Sequence, residues 1–310
     1  MQKDMDEFAF INQIRAQAQL PPGSQVSLGI GDDAAAVRLD ATRETLVAAD
    51  MLMEGVHFDF TSVTAKQAGR KALAVNLSDL AAMAAIPRFA LLSVALTSQT
   101  DQYFASEILQ GFLELAGEFD TALIGGDTNA WSGPCVISVT VIGEATEQGI
   151  VKRDGAQVGD AIFVTGELGG SLLGRHLDFT PRVQAALSLH RHINIHAMID
   201  LSDGLASDLP HILGASQVGA ILQQDAVPVS ESATHLNDTL TPWEHAIGDG
   251  EDFELLFTAH EKALDSLPDE ILSDIRVTKI GNIIAEKELL YRDQQGELHP
   301  LPATGWHHQL

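Results

Sequence analysis

The chain has 310 residues, 45% of them apolar, with 43 acidic against 18 basic side chains and a formal net charge of −25. That length suits two domains with a sizeable interior, and that charge excludes a nucleic-acid or anionic-membrane partner, since both demand a basic face. The single Cys135 excludes an internal disulfide and a cysteine-built zinc site. The start, Met1 to Glu7, has no apolar core, and no run approaches the roughly 20 apolar residues of a membrane helix, so a cytoplasmic protein is expected.

Helical spacing of apolar residues predicts a helix over 4–18, ended by Pro21-Pro22-Gly23. Gly29-Ile30-Gly31-Asp32-Asp33 follows, two adjacent carboxylates among small and apolar residues. On an extended segment their side chains would point to opposite sides, so one of them is expected to face a given site. Residues 45–49 read as a buried strand that delivers Asp50 at its end, and 51–60 as a loop with His57. Thr64 caps a predicted helix over about 65–85, in which Leu73, Leu77, Leu80 and Ala84 form an apolar stripe. Asn76 and Asp79 stand in the same nearly uncharged stretch. A strand over 89–97, a helix over 101–118 and a short buried strand over 121–124 lead to Gly125-Gly126-Asp127. A long alternating strand over 135–143 closes the first half.

The order of elements restarts in the polar stretch 144–155, which sets the expected domains at 1–148 and 149–310. Strands are predicted over 161–165, 197–199, 219–222 and 253–258, with helices over 182–191 and 205–213 between them. Strands alternating with helices indicate an α/β layer structure. Asp200-Leu201-Ser202-Asp203-Gly204 and Gly248-Asp249-Gly250-Glu251-Asp252 sit at the junctions.

A carboxylate among apolar residues is costly unless neutralised, and five segments repeat that arrangement. Hard oxygen donors without cysteine suit magnesium, manganese or calcium, and magnesium characteristically bridges carboxylates to substrate phosphates. Each Asp taken singly also fits a helix cap or a turn, above all Asp203 and Asp208 near a helix start. Gly125-Gly126 fits either a phosphate-facing backbone or an ordinary turn. Arg153, beside Lys152, fits a phosphate contact or a solvated pair; Ser202 fits a cap or a nucleotide contact. His57, Glu251 and Trp306 fit substrate contacts or, respectively, a solvated loop, a polar turn and tail packing. No GxxxxGK[ST] loop and no kinase HRD or DFG set is present.

GIGDD, DMLMEGVHF, NLSDLAAM, GGDT, IDLSDGL and GEDFELLF, in that order, resemble the thiamine-monophosphate kinase family, within the superfamily of aminoimidazole-ribonucleotide synthetase and selenophosphate synthetase. The resemblance spans about Phe8 to Trp306. It implies an α+β N-terminal domain followed by an α/β C-terminal domain. It implies ATP-dependent phosphorylation of thiamine monophosphate to thiamine diphosphate, by direct phosphoryl transfer. By motif position, Asp33, Asp50, Asp79, Asp127, Asp200 and Asp203 would hold several Mg2+ ions, with K+ as an admissible further ion. Gly125, Gly126, Arg153 and Ser202 would hold ATP; His57, Glu251 and Trp306 would contact thiamine monophosphate. A homodimer through the N-terminal domains is implied. The chain departs from the family at Ala48-Ala49, where a Thr usually precedes the Asp, and at Ala84, where the family has Gly.

Two alternatives stand beside this. One is another enzyme of the superfamily; against it, the chain shows no Cys and Lys near the N-terminus in the setting of selenophosphate synthetase, and ends in His-Gln-Leu where the hydrogenase maturation factor would have a Cys. The other is a nucleotide- or metal-binding member without catalysis, suggested by Ala48-Ala49.

Overall fold

The computed structural model describes residues 26–28, 31–38, 43–97, 100–268, 271 and 275–305. The helix expected over 4–18, Gly29, Ile30 and Trp306 lie outside the described residues.

The first sheet is built from β1 (Val26–Leu28), β2 (Ala35–Val37), β3 (Thr45–Met53), β4 (Ile86–Thr97), β5 (Ala122–Trp131) and β6 (Val136–Glu144). Their order is β1-β2-β3-β6-β4-β5. Every pairing is antiparallel except β4 with β5. Helix α1 (Ala65–Ala82) joins β3 to β4, and α2 (Gln102–Glu118) is the crossover that the parallel pair requires. Along β6, buried and half-buried residues alternate, as the sequence pattern predicts for a strand with one face on the core.

α1 begins with a capping box. Thr64 Oγ1 accepts the Gln67 N–H at 3.2 Å, and Gln67 Oε1 accepts the Thr64 N–H at 3.1 Å. It ends in a Schellman motif, with the Ala85 N–H donating to Leu80 O and the Ala84 N–H to Ala81 O, both at 2.9 Å. The turn is made by Ala84 at φ +51°, so the helix stops short of the expected Ala85. α1 and α2 cross backbone to backbone. A Cβ on Gly69 would stand 1.9 Å from the Ile108 carbonyl oxygen, and one on Gly111 would stand 1.9 Å from that of Lys66.

Two strands differ from the sequence reading. β3 continues to Met53, so Asp50 lies inside the strand. β2 pairs β3 only as far as Val47, and beyond it Asn76 from α1 takes the Asp50 N–H on its Oδ1 at 3.0 Å. β5 runs straight through Gly125, Gly126 and Asp127 instead of ending before them, and it is an exposed edge strand rather than a buried one. The glycines permit this: a Cβ on Gly126 would stand 1.8 Å from the Leu92 carbonyl oxygen of the neighbouring β4.

The second sheet comprises β7 (Ala161–Thr165), β8 (Ile195–Asp200), β9 (Gly219–Gln223), β10 (Leu255–Ala259), β11 (Val277–Ile284), β12 (Leu289–Arg292) and β13 (Leu298–Pro300). The order is β13-β12-β9-β11-β7-β10-β8, antiparallel except for β12 with β9. Among the described residues, the α-helices of this half are α3 (Arg175–Asp178), α4 (Val183–His192), α5 (Leu205–Ser216), α6 (Glu231–His235) and α7 (Pro242–Gly248). Period-two alternation splits the central strands between two cores. Phe163, Met198 and Phe257 face the core that also holds Leu73 and Leu77 of α1 and Leu189 of α4. Val164, Ile199 and Leu256 face the core under α5, with Leu205, Leu209 and Ile212. α1 is thus buried between the two sheets, which is why its Leu stripe is flanked by further buried residues.

Candidate active site

Three carboxylates from three separate elements meet. Asp33 comes from the bend after β1, Asp79 from α1 and Asp200 from the last position of β8. Their oxygens lie within 4.8 Å of one another. Ser78 Oγ donates to Asp200 Oδ2 at 2.5 Å. Arg153 closes the group with a fork on Asp33, Nε to Oδ2 at 2.9 Å and Nη2 to Oδ1 at 2.6 Å. Its backbone N–H also donates to Asp32 Oδ2 at 3.2 Å. Both adjacent carboxylates therefore face Arg153, contrary to the expectation for an extended segment, because residues 31–34 bend.

The electrostatics follow from burial. Burial and the charge of Asp33 push Asp200 up to about 8, against the opposing hydrogen bond from Ser78. Burial, then Asp50, Asp200 and Asp33, hold Asp79 well above the usual carboxylate range. Asp50 rises to about 6 through burial and the charges of Asp33 and Asp203, and Asp32 to about 6 through burial and Asp33. Burial pulls the Arg153 guanidinium down, but Asp33 outweighs it and holds that cation firmly protonated.

One arginine does not neutralise so many carboxylates. The donor set is all oxygen, with three ligand atoms at bridging distance, which fits a hard divalent cation and not a thiolate-seeking one.

The remaining sequence candidates divide. Asp50 and Asp203 border the group: the charges of Asp33 and Asp203 both act on Asp50. Asp127 is not among the three grouped carboxylates; on β5 its oxygens accept from the Thr128 N–H at 2.9 Å and from Asn129 Nδ2 at 2.8 Å. Gly125 and Gly126 lie beside it on the same exposed edge. Ser202 is not a helix cap: α5 starts after Gly204, and Asp208 inside the helix accepts the Asp203 and Gly204 N–H groups at 3.1 and 3.0 Å. Ser202 instead offers its carbonyl to the Glu251 N–H at 2.6 Å, which sets the 249–254 loop against the Asp200–Asp203 segment.

That loop is fastened by every acid in it. Asp249 Oδ2 takes the Gly170 N–H at 2.7 Å. Asp252 takes the Gly169 N–H at 3.0 Å, Ser171 Oγ and Arg175. Glu254 takes Thr165 Oγ1 at 2.6 Å and a fork from Arg182. Glu251, at φ +53°, meets Lys71 of α1, whose fully buried Nζ lies 2.8 Å from both carboxylate oxygens. The same Nζ donates to the His57 carbonyl at 2.8 Å and lies 2.9 Å from His176 Nδ1. His57 Nδ1 accepts the Met53 N–H at 3.0 Å.

The sequence reading missed Lys71, His176, Arg175 and Arg182. For Lys71 the helical spacing to Val75 and Ser78 gives only its face on α1; its partners, Glu251 and His176, are distant in sequence.

Comparison with known proteins places the chain in a family. Residues 31–145 match the family model described as AIR synthase related protein, N-terminal domain, and residues 163–292 match its C-terminal domain. Thiamine-monophosphate kinase of Rhodopirellula baltica is 42% identical over 92% of each chain, and that of Bacillus subtilis 34% identical over 98% of this chain and 99% of that one. Among solved structures, AaThiL complexed with AMPPCP and TMP superposes with a TM-score of 0.83 at 27% identity, covering 98% of this chain and 97% of that one. Thiamine-monophosphate kinase from Stenotrophomonas maltophilia K279a gives 0.73 at 36% identity over 95% and 98%. On the strength of these matches along nearly its whole length, the chain belongs to the thiamine-monophosphate kinase family.

Proposed function

We propose that the chain transfers the γ-phosphoryl group of ATP to the phosphate of thiamine monophosphate, giving thiamine diphosphate and ADP. The observation that carries this is the convergence of Asp33, Asp79 and Asp200, with Arg153 forked on Asp33, in a member of this family. An acceptor phosphate oxygen forms the new bond to the γ-phosphorus as the bond from that phosphorus to the β-bridging oxygen breaks. No general base is needed, because the acceptor oxygen is already ionised. Mg2+ bound here would neutralise the charge of two polyanions brought in line. Asp33, Asp50, Asp79, Asp200 and Asp203 are the residues that would hold it, with Asp127 joining from β5. Gly125, Gly126, Arg153 and Ser202 are assigned to ATP, and His57, Glu251 and Trp306 to thiamine monophosphate. The use of ATP supports a cytoplasmic setting. We also propose a homodimer through the first domain; the exposed edge strand β5, with Ile124 and Trp131 exposed on it, supports that.

The test is a phosphoryl-transfer assay with ATP, Mg2+ and thiamine monophosphate, run with and without K+. Thiamine diphosphate is followed by fluorescence as its thiochrome ester. Product that vanishes with EDTA is the expected result; binding of both substrates with no product would indicate a non-catalytic member. In the same assay Asp79→Asn should abolish turnover while circular dichroism stays unchanged. Near-normal activity of that variant would remove the carboxylate cluster from the reaction.

A further inference from the structure

Glu251 and His57 reach the site on different domains. His57 lies just after β3, in the first, and Glu251 lies just before β10, in the second. The Lys71 side chain has hydrogen bonds to both. Its Nζ, without solvent access, reaches the His57 carbonyl and both oxygens of Glu251. His176 adds a second hold, its Nδ1 at 2.8 Å from Glu251 Oε2. From this convergence we infer that Lys71 is a positioning residue for thiamine monophosphate, setting the Glu251 carboxylate and the His57 loop at one fixed separation across the domain boundary. The inference rests on the functional reading above and deepens it.

The chemistry supports a positioning role over a charge-supplying one. Burial lowers the Lys71 pKa against the opposing pull of Glu251, and a buried ammonium is tolerated only when paired. Burial raises Glu251, but the His176 hydrogen bond and the Lys71 charge outweigh it and leave the carboxylate ionised. Lys71 and His176 together occupy about three of the four lone-pair directions of that carboxylate. Glu251 thus meets a ligand with its charge already matched and one acceptor direction open. Its left-handed backbone, φ +53°, is a costly conformation that the contacts around it must hold. Lys71 touches no residue of the Asp33, Asp79 and Asp200 group among the contacts described, so its influence should fall on one substrate and spare the other.

The experiment is steady-state kinetics of Lys71→Met, with thiamine monophosphate and ATP varied in turn, beside wild type, Glu251→Gln and the double variant. The expected result is a KM for thiamine monophosphate raised on the order of tenfold or more, with the KM for ATP within about twofold. A loss of packing alone would lower Tm and leave the two KM values moving together. In the Glu251→Gln background, Lys71→Met should add no further rise, since the two act as one unit. That double variant buries no lone charge and keeps the test open where Lys71→Met alone does not fold. An additive rise in the double variant, or an unchanged KM for thiamine monophosphate in the single variant, would overturn the inference while an active wild type leaves the functional reading standing. A wild type that makes no thiamine diphosphate would remove both.

Discussion

Ala84 closes α1 in the left-handed region at φ +51°, at the Schellman position that helices ordinarily give to glycine. For an L-residue with a Cβ that conformation costs about 1–2 kcal/mol, and glycine returns part of the gain as unfolded-state entropy, about 0.4–1 kcal/mol. Ala84→Gly should therefore stabilise the protein by up to about 1 kcal/mol, read from urea unfolding; a destabilised variant would show that packing of the buried Ala84 methyl outweighs the strain. The family's glycine at this position, noted from sequence, thus has a backbone reason. The grouping of Asp33, Asp79 and Asp200 was approachable from sequence because their segments repeat a carboxylate beside apolar residues, although each Asp singly also fits a cap or a turn. Lys71 was not, because a lysine on a helix has no local signal for a buried charge. Its burial depends on Glu251 and His176, far away in sequence. Nor was the shared orientation of Asp32 and Asp33, which depends on a bend that residue order alone does not specify.

At the scale of elements, the helix pair is set by two glycines that let α1 and α2 touch backbone to backbone. A methyl group on Gly69 has nowhere to go, since the Ile108 carbonyl is part of the facing helix. Gly69→Ala should push the helices apart and cost roughly 1–3 kcal/mol, the range for overpacking. Because α1 carries Ser78 and Asp79, kcat should fall with it. Thermal unfolding and the phosphoryl-transfer assay check both; a fall in Tm with full activity would mean that α1 keeps its register while α2 yields. Element types were largely readable from period and caps, as the Thr64 cap of α1 and the alternation of β6 show. The full length of β5 was not readable. Gly125-Gly126-Asp127 carries the composition of a turn, and only pairing with β4 makes it a strand.

For the molecule as a whole, the clustered acids couple stability to pH and, on the proposed Mg2+ site, to metal. Asp200 titrates at about 8 in the fold against 3.8 for an ordinary Asp, and Asp50 and Asp32 are raised to about 6. Between those limits the native chain binds more protons than the unfolded chain, so ΔG of unfolding falls as pH rises. The stabilising contribution is complete below about pH 4 and is lost through about pH 8. In EDTA, Tm should decrease from pH 6 to pH 8, and Asp200→Asn should flatten that slope. Mg2+ should raise Tm more at pH 8 than at pH 6, because protons and metal compete for the same oxygens. Differential scanning fluorimetry over that range is sufficient; a Mg2+ effect larger at pH 6 would contradict the assignment of these oxygens to metal.

α1 delivers four contacts in nine residues: Lys71 to Glu251, Asn76 to the Asp50 N–H, Ser78 to Asp200, and Asp79 to the carboxylate group. Such a helix behaves as a cam with a fixed pitch. Inserting one residue between Lys71 and Asn76 would turn one set of contacts by about 100° and slide it by about 1.5 Å relative to the other. Inserting seven would nearly restore the angle while displacing the two ends by about 10.5 Å. Length variation, tolerable in the surface loops, has no harmless value within this stretch, and the spacing from Lys71 to Asp79 is as much a part of the site as the side chains themselves.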